Sequence, residues 1–213
     1  MKDSYLTISK PSTGEFRDRG SKFLAYAFPV ITEENWQGAL EQVKKEHPKA
    51  RHYCYAYRLG LDQNNYRAND DGEPSGTAGR PILGQIDSFG LTNVFVVVVR
   101  YFGGTLLGTS GLINAYKTST NDALEKAEII EKLVEDQVRI KFDYAYMGEV
   151  MNAVKKLNLD IVKQHFEATA FIDVTIRKSE TAAALLRLKA MLAKVSLEEA
   201  DLLESLEGID IEY

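Results

Sequence analysis

The run NVFVVVVRYFGGTLLGTSG, Asn93 to Gly111, decides the reading of this chain. Its continuous β-branched content, Val94 to Val99, predicts a central, fully buried strand. The strand passes directly into a loop containing Gly103, Gly104 and Gly108. From Thr109 or Ser110 a long helix is expected to run to about Ile130, with Leu112, Ile113, Tyr116, Leu124 and Ala127 turned inward. A buried strand, a glycine loop and a helix N-terminus in that order make a common anion site, because free amides and the positive end of the helix dipole converge there. Equally, the glycines permit close packing of a turn against the sheet. Gly103 and Gly108 fit the G-x-x-x-x-G spacing of a phosphate loop, but Thr109 stands where the phosphate-gripping lysine belongs, which disfavours nucleotide hydrolysis. Arg100, at the end of the strand, suits either reading.

Upstream, DDGEPSGTAGRP, Asp70 to Pro81, is the second glycine-punctuated segment. Asp70, Asp71 and Glu73 place three carboxylates within four residues, a composition that suggests a divalent-cation loop but lacks the EF-hand spacing. The simpler reading has the acids capping backbone amides or pairing with Arg67, Arg80 or Arg100. Pro81 suits the first turn of a short helix carrying Ile82, Leu83, Ile86 and Phe89 and closed by Gly90. The ligand-binding candidates in the two segments are Asp70, Asp71, Glu73, Gly76, Thr77, Arg80, Arg100, Gly103, Gly104, Gly108, Thr109 and Ser110. No catalytic residue and no metal ligand is assigned, and no cofactor is expected.

Nearer the start, Lys22 to Val30 reads as a strand. Thr32 then caps a helix with Glu33 and Glu34 in its first turn, ended by Lys44, Lys45 and Pro48, with Trp36, Ala39, Leu40 and Val43 on its sheet-facing side. In HYCYAYRLG, Tyr53, Tyr55 and Tyr57 share one face of a strand, and His52, Cys54, Ala56 and Arg58 the other. A stripe of tyrosines can stack nucleobases, but without an RNA-binding signature around it, core or half-buried packing is the better account. His52 and Cys54 are read as structural, since same-face neighbours on a strand lack the orienting third group of a catalytic dyad.

Beyond the charge-rich EKAEIIEKLVED the pattern changes, and the break is placed near Leu133, giving domains 1–133 and 134–213. The second reads strand (Val138 to Tyr144), helix (Met147 to Leu157), two strands (Asp160 to Lys178), helix (Leu185 to Val195) and a last strand, GIDIEY. This β-α-β-β-α-β succession is a ferredoxin-like order, and its middle hairpin lacks a glycine turn that would fix the register.

With 45% hydrophobic and 27% charged residues among 213, the chain has ordinary globular composition. The net charge of -5 is concentrated in the C-terminal part: residues 1–130 hold 15 Lys+Arg against 15 Asp+Glu, and 131–213 hold 11 against 16. A generic nucleic-acid glove would be basic. One cysteine and three histidines offer no zinc spacing or redox pair. The first 20 residues lack an apolar signal region and no run is long enough to cross a membrane, so a cytoplasmic protein without membrane contact is expected.

Four stretches, RGSKFLAYAFPV (Arg19 to Val30), ARHYCYAYRLG (Ala50 to Gly60), DDGEPSGTAGRPIL (Asp70 to Leu83) and VVVVRYFGGTLLGTSGLINAY (Val96 to Tyr116), resemble the hallmark segments of the YigZ/IMPACT family. The resemblance implies an α+β protein: an N-terminal α/β domain similar to domain 2 of a small-subunit ribosomal protein, and a C-terminal ferredoxin-like domain similar to domain V of elongation factor G. Eukaryotic members regulate translation by binding the activator of a starvation-responsive initiation-factor kinase, and the chain more closely resembles the bacterial two-domain members. The expectation is therefore a non-enzymatic, translation-associated binding protein whose partner is the ribosome, RNA or a translation factor. An enzyme or sensor that binds a phosphorylated small molecule with a divalent cation is the alternative. Leu107, Asn114 and Ser110 depart from the family pattern, where basic residues and a glycine are usual, and remove two phosphate contacts.

Overall fold

A computed structural model describes residues 3–62, 64–167 and 170–213. The chain divides into two compact units, one spanning Tyr5–Lys132 and the other Leu133–Tyr213, with which Asp3 and Ser4 group.

The first unit is built on a five-stranded antiparallel sheet of order β2-β3-β6-β4-β5, comprising β2 (Ser12–Asp18), β3 (Ser21–Pro29), β4 (His52–Leu59), β5 (Asn65–Asn69) and β6 (Val94–Tyr101). As the sequence requires, β6 is central, and Val94 to Val99 have no exposed surface. Burying each such side chain contributes about 1.5–3 kcal/mol, which favours the middle of the sheet over an edge. Continuous burial here comes from helices on both faces of an antiparallel sheet. On one face lies α1 (Glu33–Glu46), started by a Thr32–Asn35 capping box and packing Trp36, Leu40 and Val43 on Tyr55, Tyr57 and Phe95. The stacked contact of Trp36 with Tyr57, ring centres 5.2 Å apart, places the tyrosine stripe in this core, with Tyr53 only half buried. On the other face α2 (Gly79–Ser88) and α3 (Gly108–Glu125) cover Phe23, Ala25, Cys54, Ala56, Val96 and Val98.

Several expectations are corrected. The long helix ends at Glu125 and not near Ile130, because Ile129–Leu133 forms a strand, β7, paired with β1 (Ser4–Ile8). Ile113 is 41% exposed. The buried stripe of α3 centres on Leu112, Ala115, Tyr116, Ser119 and Ala123, and Ile113 falls on its flank. Strand β2 forms a hairpin with β3 through Arg19 and Gly20, whose φ values of +43° and +79° fit a two-residue turn twisted to match the strands.

The second unit follows β8 (Glu135–Phe142), α4 (Met147–Lys156), β9 (Asp160–Phe166), β10 (Ala170–Arg177), α5 (Thr181–Ala193), a short α6 (Leu197–Asp201) and β11 (Ile209–Glu212). The sheet order is β11-β8-β10-β9, antiparallel at each pairing. Tyr144 belongs to a 3-10 turn and not to the strand before it, and α5 starts at Thr181, ahead of the expected Leu185. Residues 168 and 169, where the hairpin without a glycine turn was expected, lie outside the described residues. The register on either side of them pairs Ala170 with Phe166 and shifts between Asp173 and Val174.

Candidate functional site

The two glycine-punctuated segments meet at the end of the first sheet where β3 and β4 begin and β6 finishes. Antiparallel register sets Phe23 and His52 on either side of Arg100, all three on the face covered by α2 and α3. Arg100 is 7% exposed, and its Nη1 donates to Glu73 Oε1 at 2.6 Å, with the carboxylate 4% exposed. Tyr116 of α3 donates its hydroxyl to the same oxygen at 2.8 Å. Behind it, Cys54 Sγ lies 3.0 Å from the Asp70 carbonyl and 3.2 Å from the Tyr116 hydroxyl. Burial raises both the thiol and the phenol well above their ordinary pKa values, so Cys54 is an inert thiol and not a nucleophile. The guanidinium also lies over Phe23 and Phe102, 5.5 and 5.6 Å from the ring centres, while its Nε is buried without a partner.

Asp70 and Glu73 are occupied, and the exposed Asp71 uses one oxygen. Asp70 Oδ1 accepts from the amides of Ala78 and Gly79 at 3.0 and 2.8 Å, and Oδ2 accepts from Gly76 at 2.8 Å. The carboxylate thereby fills the amide cradle at the start of α2, an internal anion where an external one was conceivable. Burial opposes ionisation of Asp70, but the amides of Gly76, Gly79 and Ala78, aided by Arg80, hold its pKa below the ordinary value. Asp71 Oδ2 accepts from the Tyr53 amide at 2.6 Å, and its carbonyl is 2.8 Å from His52 Nδ1. A carbonyl only accepts, so Nδ1 carries the proton. Thr77 is buried, with its hydroxyl donating to the Pro74 carbonyl at 2.6 Å. Gly76, at φ +76°, completes the turn, and Arg80 is exposed. Among the described residues no group of three or more His, Cys, Asp or Glu side chains is placed to hold a metal ion.

The second segment has a different character. Gly103 donates its amide to Ser21 Oγ at 3.1 Å, and a Cβ built on it would stand 1.9 Å from the Gly20 backbone, so only glycine fits. Gly104 and Gly108 take φ values of +87° and +71° in open surroundings. Thr109 and Ser110 are exposed in the first turn of α3, and Leu107, at the cap position, provides no side-chain acceptor. Phe102 is 52% and Leu106 80% exposed. The expected site thus splits: Asp70, Glu73, Gly76, Thr77 and Arg100 build an internal network with Asp71 at its exposed edge, whereas Arg80, Gly104, Gly108, Thr109 and Ser110 face outward. Sequence reasoning missed Tyr116 as Glu73's second partner, Ser21 as Gly103's, and the outward display of Phe102 and Leu106. Tyr116 had a signal in being the one polar-tipped residue of the predicted inward stripe, since a buried hydroxyl requires a partner.

Comparison with known proteins places these residues in a family. Residues 19–124 match the model of the Impact N-terminal domain. IMPACT family member YvyE of Bacillus subtilis is 33% identical over 183 residues, which cover 86% of this chain and 84% of that protein. IMPACT family member YigZ of Escherichia coli is 31% identical, covering 84% and 89%. A crystal structure described as that of an hypothetical protein superposes with a TM-score of 0.70 at 30% identity, over 91% of this chain and 93% of the other. Matched along most of its length in both sequence and fold, this chain belongs to the IMPACT family.

Proposed function

We propose that the chain is a translation-associated binding protein, acting in the cytoplasm on the ribosome, RNA or a translation-factor partner, with recognition and not catalysis as its task. The observation that carries this reading is the contrast within the site. In the first segment Asp70 and Glu73 are engaged internally and the exposed Asp71 accepts the Tyr53 amide, while the second presents exposed Phe102, Leu106, Thr109 and Ser110 at the start of an uncapped helix. A recognition surface needs the second arrangement; metal-assisted chemistry needs free carboxylates, which Asp70 and Glu73 do not supply. The strand order β11-β8-β10-β9 supports a ferredoxin-like reading of the second unit, akin to domain V of elongation factor G. The likeness of the first unit to a ribosomal-protein domain belongs to the same reading. Sedimentation of the full chain with ribosomes through sucrose gradients tests it. Co-migration is expected at low salt and weaker co-migration at moderate salt; absence from the ribosomal fractions at both sinks the reading.

A further inference from the structure

We propose that Phe102, Leu106 and Ile113 form a docking surface for an acidic segment of a partner protein, an inference that rests on the binding role above and narrows it to one class of partner. These side chains are 52%, 80% and 41% exposed, and all lie on the loop entering α3 or on the second turn of that helix. Isolated exposed apolar residues are ordinary; three within one loop-helix segment supply the apolar anchors that a docking surface needs. The loop holds them in place: Gly103 packs backbone to backbone on Gly20 and bonds Ser21, the Arg19 guanidinium reaches the Leu106 carbonyl at 3.5 Å, and Arg100 underlies Phe102. Side chains displayed on a fixed loop lose little entropy when a partner arrives.

Charge selects the partner. Exposed Arg19 stands beside Leu106, exposed Lys117 follows Ile113 by one turn on the same face of α3, and the uncapped α3 N-terminus adds partial positive charge. Phe102 to Lys117 holds no Asp or Glu, and in the neighbouring loop Glu73 is paired with Arg100. A positive rim around aliphatic anchors fits a protein segment bearing Asp or Glu beside Leu, Ile or Phe. RNA fits less well: of the three anchors only Phe102 offers a stacking plane, and residues 1–130 balance 15 basic against 15 acidic side chains.

The test uses the full chain as bait for a displayed library of random dodecapeptides. Selected peptides are expected to combine apolar with acidic residues and to lose about tenfold or more in affinity to Leu106→Glu and to Arg19→Glu. Both positions are exposed, and should either substitution lower the melting temperature, Phe102→Ala replaces it with the same expected loss. Selected peptides without acidic residues, affinities unchanged in the variants, or an oligouridylate that binds more tightly than any peptide would each overturn the proposal. The ribosome experiment fails separately: peptide binding lost in Leu106→Glu, in a chain that never sediments with ribosomes, sustains the docking surface and removes the translational reading.

Discussion

The Asp70–Gly79 loop and the Phe102–Gly108 loop have nearly the same recipe, glycines beside a helix start, yet they end in opposite states. In the first, the chain supplies its own anion: Asp70 sits on the amides of Gly76, Ala78 and Gly79, and Glu73 neutralises Arg100. In the second, glycines bring backbones together, the helix start stays uncapped, and the apolar side chains point to solvent. A glycine-rich loop before a helix therefore does not define a ligand site by itself. What distinguishes the two loops is whether a nearby side chain already satisfies the converging amides.

Substitution at Glu73 should break this contrast most severely. Glu73→Ala leaves the Arg100 guanidinium, 7% exposed, without its counter-ion and strips Tyr116 of its acceptor. Removing one partner of a buried pair costs about 3–5 kcal/mol, so the urea midpoint of the first unit should fall far below wild type. Glu73→Gln keeps an acceptor for Tyr116 but no charge, and should fall between the two. A wild-type midpoint for the alanine variant would show that the pair does not hold the first loop to α3.

Next in size is Gly103→Ala, set against Gly104→Ala. The first forces a methyl group to within 1.9 Å of the Gly20 backbone, where no flexible side chain can yield. Overpacking of this kind costs about 1–3 kcal/mol and more when backbone must move. Gly104→Ala meets nothing within 4 Å but holds an L-residue at φ +87°, which costs about 1–2 kcal/mol. Thermal melts should rank wild type above Gly104→Ala and Gly104→Ala above Gly103→Ala. The reverse order would mean that the loop's conformation, and not its contact with the β2–β3 hairpin, fixes Phe102 and Leu106.

The same contrast explains what could be read from sequence. Strand β6, helices α1 to α3 and the alternation of the second unit carry strong local periodicity, so Val94 to Val99 and the Trp36–Leu40–Val43 stripe were legible. Strands β1, β2, β5 and β7 were not: they lie in a two-stranded ribbon or at the edges of the main sheet, and β5 and β7 are almost wholly exposed, with no apolar alternation to betray them. The pairing of Ile129–Leu133 with Ser4–Ile8 spans over a hundred residues, and no window of sequence contains it. At the site, turn chemistry marked the acids as caps or ion-pair partners but left Arg67, Arg80 and Arg100 open as counter-ions. The choice of Arg100 depends on the register that sets His52 opposite it, a long-range property.

The smallest effect, and the one that sharpens the comparison, concerns Asp70. Asp70→Asn preserves the size of the side chain but replaces one carboxylate oxygen by an NH₂ group that cannot accept from Gly76 or from Ala78 and Gly79. Loss of a capping carboxylate of this kind costs about 1 kcal/mol. The pH dependence carries more information than the size. Since the folded pKa of Asp70 lies below its ordinary value of 3.8, its contribution is complete above that value and disappears as pH falls through the folded pKa. Melting curves of wild type and Asp70→Asn should be separated at pH 7 and converge below pH 3.8. A separation that persists unchanged into acid would mean that the α2 cradle does not depend on the Asp70 charge. The helix start would then not need a charged cap, as that of α3 has none, and the division between the two loops would collapse.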